Sequence, residues 1–149
     1  MFELNAVDLD KVMRDLRQFT PKLQKKGLTQ SMRRAMRVVR DDARSRAQKI
    51  DDPKTPENIP KEIQTQTMSR RKVRRYGADA GISVGVRGGA RFRKNSPYPT
   101  HWRFVEFGTS KMAAQPFMVP AMEMNANKVA EVMQKELVKI IDRIARTGK

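Results

Sequence analysis

Apolar positions recur every three or four residues in three stretches of the chain, which is the spacing of an α-helix. The first stretch predicts a helix from about Ala6 to Phe19 that Asn5 caps. The second runs from Pro21 to Ile50 and begins with proline directly after Thr20, a typical helix start. The third predicts a last helix that Pro120 opens and that ends near Arg146.

Strand signals are shorter and occupy the middle of the chain. Alternation with period two is clearest from Gly81 to Val86 and weaker from Glu62 to Thr67. The segment from Tyr98 to Phe107 fits one helical face or one strand face; we favour a short helix, because Gly108 is well placed to end it. Pro116 to Val119 is predicted to be extended.

These elements predict an α+β fold in a single domain of residues 1–149. Two N-terminal helices precede a small, mostly antiparallel sheet, and a long C-terminal helix packs on it. Flexible loops are predicted at 51–61, where three prolines fall, and at 88–99, which is polar and contains glycine and proline. Spacing does not give the order of the strands.

Composition excludes several classes of function. The chain has no cysteine and one histidine, so thiolate metal sites are impossible and an imidazole cluster cannot form. Gly81 to Gly85 matches the nucleophile-elbow pattern around Ser83, but no acid lies between Ser83 and His101 and the predicted strand runs through the serine. We therefore expect no enzyme, no metal and no cofactor. No apolar run approaches the roughly 20 residues of a membrane span, and the first residues do not have the pattern of a signal peptide.

Glu106 lies inside an apolar run, between Val105 and Phe107. An unpaired carboxylate buried there would cost several kcal/mol. Either it points to solvent or it pairs with a basic side chain, such as Arg103 or an arginine of a neighbouring subunit. We favour the structural ion pair over a role in acid–base chemistry.

A net charge of +16 favours a polyanionic partner. Two clusters are candidate contacts to a partner protein or to DNA: Arg70, Arg71, Lys72, Arg74 and Arg75 in one, and Arg91, Arg93 and Lys94 in the other. The alternative function is a basic nucleic-acid-binding module. Few aromatic residues interleave the basic ones, which weakens that alternative.

Four of the nine aromatic residues of the chain, Trp102, Phe104, Phe107 and Phe117, fall in one block that runs from His101 to Ala121. This block resembles the signature of the phage neck and tail-completion proteins typified by gene product ten of the lambda-like coliphage HK ninety-seven. The matching residues are Trp102, Glu106, Phe107, Gly108, Thr109, Ser110, Pro116, Phe117, Pro120 and Ala121. We expect the block to fold as a buried clasp beneath the last helix.

The resemblance implies a structural virion protein at the head–tail junction of a tailed phage, present in the tail or neck and in the host cytoplasm during assembly. It implies a homo-oligomeric, hexameric ring around the DNA channel. The implied partners are the head-closure or connector protein, the tail terminator, the tail tube protein and double-stranded DNA. DNA that spans about 30 Å of such a ring presents only roughly 18 phosphates. Six copies of a chain with a net charge of +16 carry far more positive charge than these phosphates can match. We therefore infer that much of the positive charge faces acidic surfaces of neighbouring rings.

Overall fold

The computed structural model describes residues 6–52, 54, 58–87 and 98–148. Their elements, in chain order, are α1 (Ala6–Arg17), α2 (Pro21–Gln48), α3 (Ile59–Glu62), β1 (Ile63–Thr67), α4 (Arg70–Arg75), β2 (Ile82–Val86), α5 (Trp102–Phe107) and α6 (Met118–Thr147). The predicted α+β class is confirmed, with two N-terminal helices, a small antiparallel sheet and a long C-terminal helix.

The sheet consists of β1 and β2 side by side. Its antiparallel register is visible in two flanking backbone bonds: Arg87 N–H donates to Glu62 O at 2.8 Å, and Met68 N–H donates to Gly81 O at 2.9 Å. This register places Ile63 opposite Val86, and both side chains are buried. The described residues therefore form two strands where a few were expected.

Contacts divide the chain into two compact units. Unit 1 comprises Met1–Met36, Thr67–Ser83 and Asn127–Lys149; unit 2 comprises Arg37–Gln66 and Val84–Ala126. The long helices α2 and α6 each contribute residues to both units.

The core of unit 1 is built from the apolar stripes of α1 and α6. Val12 and Leu16 cluster with Leu137 and Ile141. Gly27 of α2 is buried nearby, and a Cβ atom there would lie 3.4 Å from the Ile140 side chain. The glycine thus allows α2 to approach the other helices closely, which offsets its low helix propensity.

A side-chain network lies on the outside of unit 1. Arg34 pairs with Glu136, and Lys139 donates to the same carboxylate at 3.1 Å. These two hydrogen bonds hold the pKa of Glu136 below its usual value. The pair is therefore ionised at neutral pH, and its exposure limits its contribution to stability.

The core of unit 2 lies between the second half of α2, the sheet and the start of α6. Its fully buried side chains include Val39, Ala43, Ile63, Phe117 and Ala121. Polar groups tie these elements together at the edges. Arg44 Nε donates to Ile63 O at 3.0 Å. Asn125 Nδ2 donates to Asp42 Oδ2 at 2.7 Å, and this carboxylate also accepts from Arg46.

Several predicted boundaries differ from those of the structure, and the differences below have a physical cause. The predicted loop at 51–61 contains most of the short helix α3, which begins because Asn58 Oδ1 accepts the N–H of Lys61 at 2.9 Å and Pro60 lies in the first turn. The last helix begins at Met118 rather than at Pro120. A proline in the first turn is tolerated because its missing N–H has no partner within the helix there.

The helix predicted to end at Phe19 ends at Arg17. The side chain of Gln24 donates to Phe19 O at 2.6 Å and to Arg17 O at 3.3 Å. It thereby satisfies carbonyl groups that the end of a helix leaves free. The predicted loop at 88–99 lies, but for its last two residues, outside the described residues.

Candidate functional site

The aromatic block predicted from the sequence begins with α5. Gly108 ends this helix with φ 72° and ψ 179°, and its N–H donates to Phe104 O at 2.8 Å. Glycine takes up this backbone conformation without the strain that a Cβ atom would add. The prediction of a short helix that Gly108 terminates is therefore confirmed.

A tight turn follows the helix. Thr109 and Met112 form an isolated antiparallel bridge, in which Thr109 N–H donates to Met112 O at 2.8 Å. The Thr109 hydroxyl accepts the N–H of Lys111 at 3.2 Å, and Ser110 is exposed at the tip. The chain then returns along α5, where Gln115 N–H donates to Val105 O at 2.8 Å.

Glu106 is buried to 3% exposure and points at the first turn of α6. Its Oε2 accepts the backbone N–H of Phe117 at 2.8 Å and of Met118 at 3.0 Å, and its Oε1 accepts that of Val119 at 2.9 Å. Within the described residues these backbone groups, and not Arg103, are the partners of the carboxylate, so the predicted pairing with Arg103 is not found. The carboxylate is satisfied by backbone donors and by the positive end of the helix.

This remote cap explains where α6 begins. Phe117 stands directly before the helix and has no side-chain oxygen, and the first turn contains no acidic residue. Glu106 supplies both the acceptor and the negative charge that an N-terminal Ser or Asp would otherwise provide. The sequence contained a signal for this contact: an acid within an apolar run, followed by a helix start that has no capping residue of its own.

The aromatic side chains of the block divide between interior and surface. Phe117 is fully buried, whereas Phe107 is 69% exposed and Phe104 is 45% exposed. The Trp102 ring is half-buried beneath the Arg103 guanidinium, whose carbon lies 5.5 Å from the ring centre. The buried clasp is thus only half right: Glu106, Phe117 and the following Ala121 are inside, and α5 presents two phenylalanines outward.

Exposed apolar residues concentrate around this junction. Six of the eight large apolar side chains that are exposed in the described residues lie between 104 and 124, and all six belong to unit 2. They are Phe104, Phe107, Met112, Val119, Met122 and Met124. We call these six residues the apolar surface. Exposed apolar side chains that form a contiguous patch are typical of protein–protein contacts.

The basic run predicted as a contact forms α4. Ser69 caps it by accepting the N–H of Lys72 at 3.4 Å, and Val73 is its buried residue. All five cationic side chains, Arg70, Arg71, Lys72, Arg74 and Arg75, are exposed. The second predicted cluster, Arg91, Arg93 and Lys94, lies outside the described residues.

Ser83 and His101 are the two residues that a serine-hydrolase pattern would use. Ser83 is the second residue of β2, and the strand continues through it. His101 directly precedes α5 and makes no side-chain cap. In the described part of the chain, no three His, Cys, Asp or Glu side chains group as a metal site would require. Nor does any helix there have the length and apolar character to cross a bilayer.

Residues 10–108 match the model of the HK97-gp10-like family, whose description reads "Bacteriophage HK97-gp10, putative tail-component". The match covers about two thirds of the chain and includes Trp102 to Gly108, but it ends before Pro116. The chain therefore belongs to this family of phage tail components. Searches of curated proteins and of solved structures found no match.

Proposed function

We propose that the protein is a structural virion protein that acts at the head–tail junction, where it completes the tail so that the tail joins a DNA-filled head. Membership of the phage tail-component family carries this proposal. The geometry of the aromatic block agrees with it, because Glu106 serves to anchor a helix and the neighbouring side chains of α5 face outward. We assign the protein no catalytic role.

In this function the protein forms a homo-oligomeric ring, a hexamer, around the channel through which the DNA passes. Copies that each carry a net charge of +16 repel one another. Contact between copies therefore has to use a surface on which apolar burial outweighs that repulsion. The apolar surface of unit 2 meets this requirement, since burying each large apolar side chain contributes about 1.5 to 3 kcal/mol.

The faces of the ring then meet the head-closure or connector protein on one side and the tail terminator and tail tube on the other. The positive charge that DNA in the channel does not match is available for acidic surfaces of these neighbours. Such contacts speed encounter between rings and weaken as salt concentration rises.

The joining role is tested by electron microscopy of particles assembled without this protein. We expect DNA-filled heads beside free tails of full length, because both parts are built but not connected. Supplying the wild-type protein to an extract that contains these parts should restore joined particles. Particles of normal appearance in the absence of the protein would rule out the role.

The ring contact is tested by Phe107→Ser, which removes an aromatic side chain that is 69% exposed. We expect subunit association to weaken at least about tenfold, because the buried apolar area is lost. Tyr76→Ser is the matched control, since Tyr76 is 72% exposed but lies outside the apolar surface. Sedimentation velocity over a range of concentrations measures both. Equal behaviour of the two variants would contradict this assignment of the contact.

A basic nucleic-acid-binding module is the second candidate, and the five exposed cations of α4 favour it. For that function, binding of the isolated chain to duplex DNA should fall steeply with salt, with a slope that reports about six or more phosphate contacts.

A further inference from the structure

A groove with a volume of about 520 Å³ opens in unit 1 between α2, α4 and the segment that leads into β2. We call it the basic groove. It lies within unit 1 and contains none of the residues of the aromatic block. The residues that matter for its chemistry are Lys25, Met68, Arg70, Val73, Arg74 and Asp79.

The rim of the basic groove carries three cations and one carboxylate. Lys25 extends from α2, and Arg70 and Arg74 stand one turn apart on α4. None of the ion pairs found in the described part of the chain involves these three side chains. Asp79 is the only acid among the lining residues. The groove therefore attracts negative charge.

The floor of the groove is apolar. Val73 is only 9% exposed, and Met68 is half-buried. Gly81 lines the groove beside Met68, and a Cβ atom there would lie 2.6 Å from the Met68 sulfur. The glycine thus leaves room for the thioether, a flexible group that adapts to the shape of a partner's side chain.

The combination of a basic rim and an apolar floor distinguishes between anionic partners. The DNA backbone presents phosphates and sugars to a binding surface and has no apolar side chain to cover Met68 and Val73. A peptide that alternates acidic and apolar residues matches both the rim and the floor. A groove of this volume lies within the range of sites that enclose a few side chains.

We propose that the basic groove binds an acidic peptide segment that places an apolar side chain on Met68 and Val73. Its carboxylates meet Lys25, Arg70 and Arg74. A neighbouring virion protein supplies the segment, and this statement about its source rests on the proposed function. The preference of the groove for acidic, apolar peptide does not depend on that function.

The test uses the full-length chain and a fluorescent eight-residue peptide of alternating glutamate and leucine, with fluorescence anisotropy at low ionic strength. The variant R70Q/R74Q removes the two arginines of α4 that line the groove. R71Q/R75Q is the matched control, because it removes the same charge from the same helix at two exposed positions that do not line the groove. Circular dichroism and thermal melting establish that both variants are folded.

We expect R70Q/R74Q to weaken peptide binding about tenfold and R71Q/R75Q by less than about twofold, as two lost charge contacts would. Replacing leucine by serine in the peptide should weaken binding about fivefold, because the floor is then left uncovered. Asp79→Asn should act in the opposite direction and tighten binding, since it removes the one repulsive carboxylate.

Equal losses in the two double variants would overturn the proposal, because they would mean that only the overall charge attracts the peptide. Failure of the wild-type chain to bind the peptide would overturn it as well. So would displacement of the peptide by a short duplex DNA at lower concentration than by unlabelled peptide, which would assign the groove to nucleic acid. None of these outcomes bears on whether tails join heads, so the groove and the proposed function fail independently.

Discussion

Replacing Glu106 by alanine should lower the free energy of unfolding by about 3 kcal/mol. The substitution leaves the backbone N–H groups of Phe117, Met118 and Val119 without their acceptor. Hydrogen bonds to a charged group contribute about 1.5 to 3 kcal/mol each, and losing a helix cap costs about 0.5 to 2 kcal/mol. Because water reaches part of the freed turn, the total stays below the sum of three such bonds.

For a chain of this length, that loss corresponds to a fall in melting temperature of about 10 °C. Urea titration followed by far-UV circular dichroism measures it. Glu106→Gln should lose about 2 kcal/mol, because one oxygen remains while the amide group turns a donor toward backbone donors. Glu123→Ala removes an exposed carboxylate from α6, the helix that Glu106 caps, and should change stability by no more than about 0.5 kcal/mol.

The result for Glu106→Ala separates the cap from a general electrostatic effect. A loss below about 1 kcal/mol, or a loss equal to that of Glu123→Ala, would contradict the capping role. High salt should change the difference between the two variants little, because the cap is buried and poorly screened.

Gly108→Ala should cost about 3 kcal/mol. A Cβ atom at this position would lie 2.8 Å from the backbone nitrogen of Ala114 and 2.9 Å from the carbonyl oxygen of Met112. Both contacts are to backbone atoms, so the turn itself would have to open. The combination of φ 72° and ψ 179° is also one that residues other than glycine almost never adopt.

Two other glycines distinguish the effect of close backbone contacts from the effect of an unfavourable backbone conformation. Gly77 has φ 61° with open space around it, so Gly77→Ala reports backbone strain alone, about 1 kcal/mol. Gly85 has neither a positive φ nor a close neighbour, so Gly85→Ala should change stability by less than about 0.5 kcal/mol. Chemical denaturation of the three variants should give the order Gly108, Gly77, Gly85. A Gly108 variant no less stable than the Gly77 variant would mean that the turn is not closely packed.

Much of the fold follows from periodicity along the chain. The stripes that predicted α1, α2 and α6 supply Leu16, Val39 and Leu137 to the interior. The alternation from Gly81 to Val86 gave β2 within one residue. These patterns are local, and a residue's own neighbours determine them.

The site was less predictable because its central contact is not local. Glu106 finds its donors 11 to 13 residues further along the chain, after a turn whose geometry spacing does not reveal. Periodicity likewise does not distinguish an apolar side chain that packs inside the monomer from one that faces outward. Phe117 and Phe107 therefore received the same prediction, although one is buried and the other is exposed.

The short helices α3 and α4 were not predicted, for a related reason. The helix α4 has a single buried side chain, Val73, so it shows no apolar stripe. Its signal was the capping serine at 69, just as Asn58 was the signal for α3. Caps carry more information than periodicity in helices of one or two turns.

The carboxylate of Glu106 also links two events that are otherwise separate. Glu106 of α5 accepts hydrogen bonds from the first turn of α6, and α5 also carries the exposed Phe104 and Phe107. By thermodynamic reciprocity, a partner that covers those rings and fixes α5 would also stabilise the first turn of α6, and fraying of that turn would weaken the partner's binding. Partner binding at α5 and initiation of α6 would then be coupled in free energy through this one carboxylate.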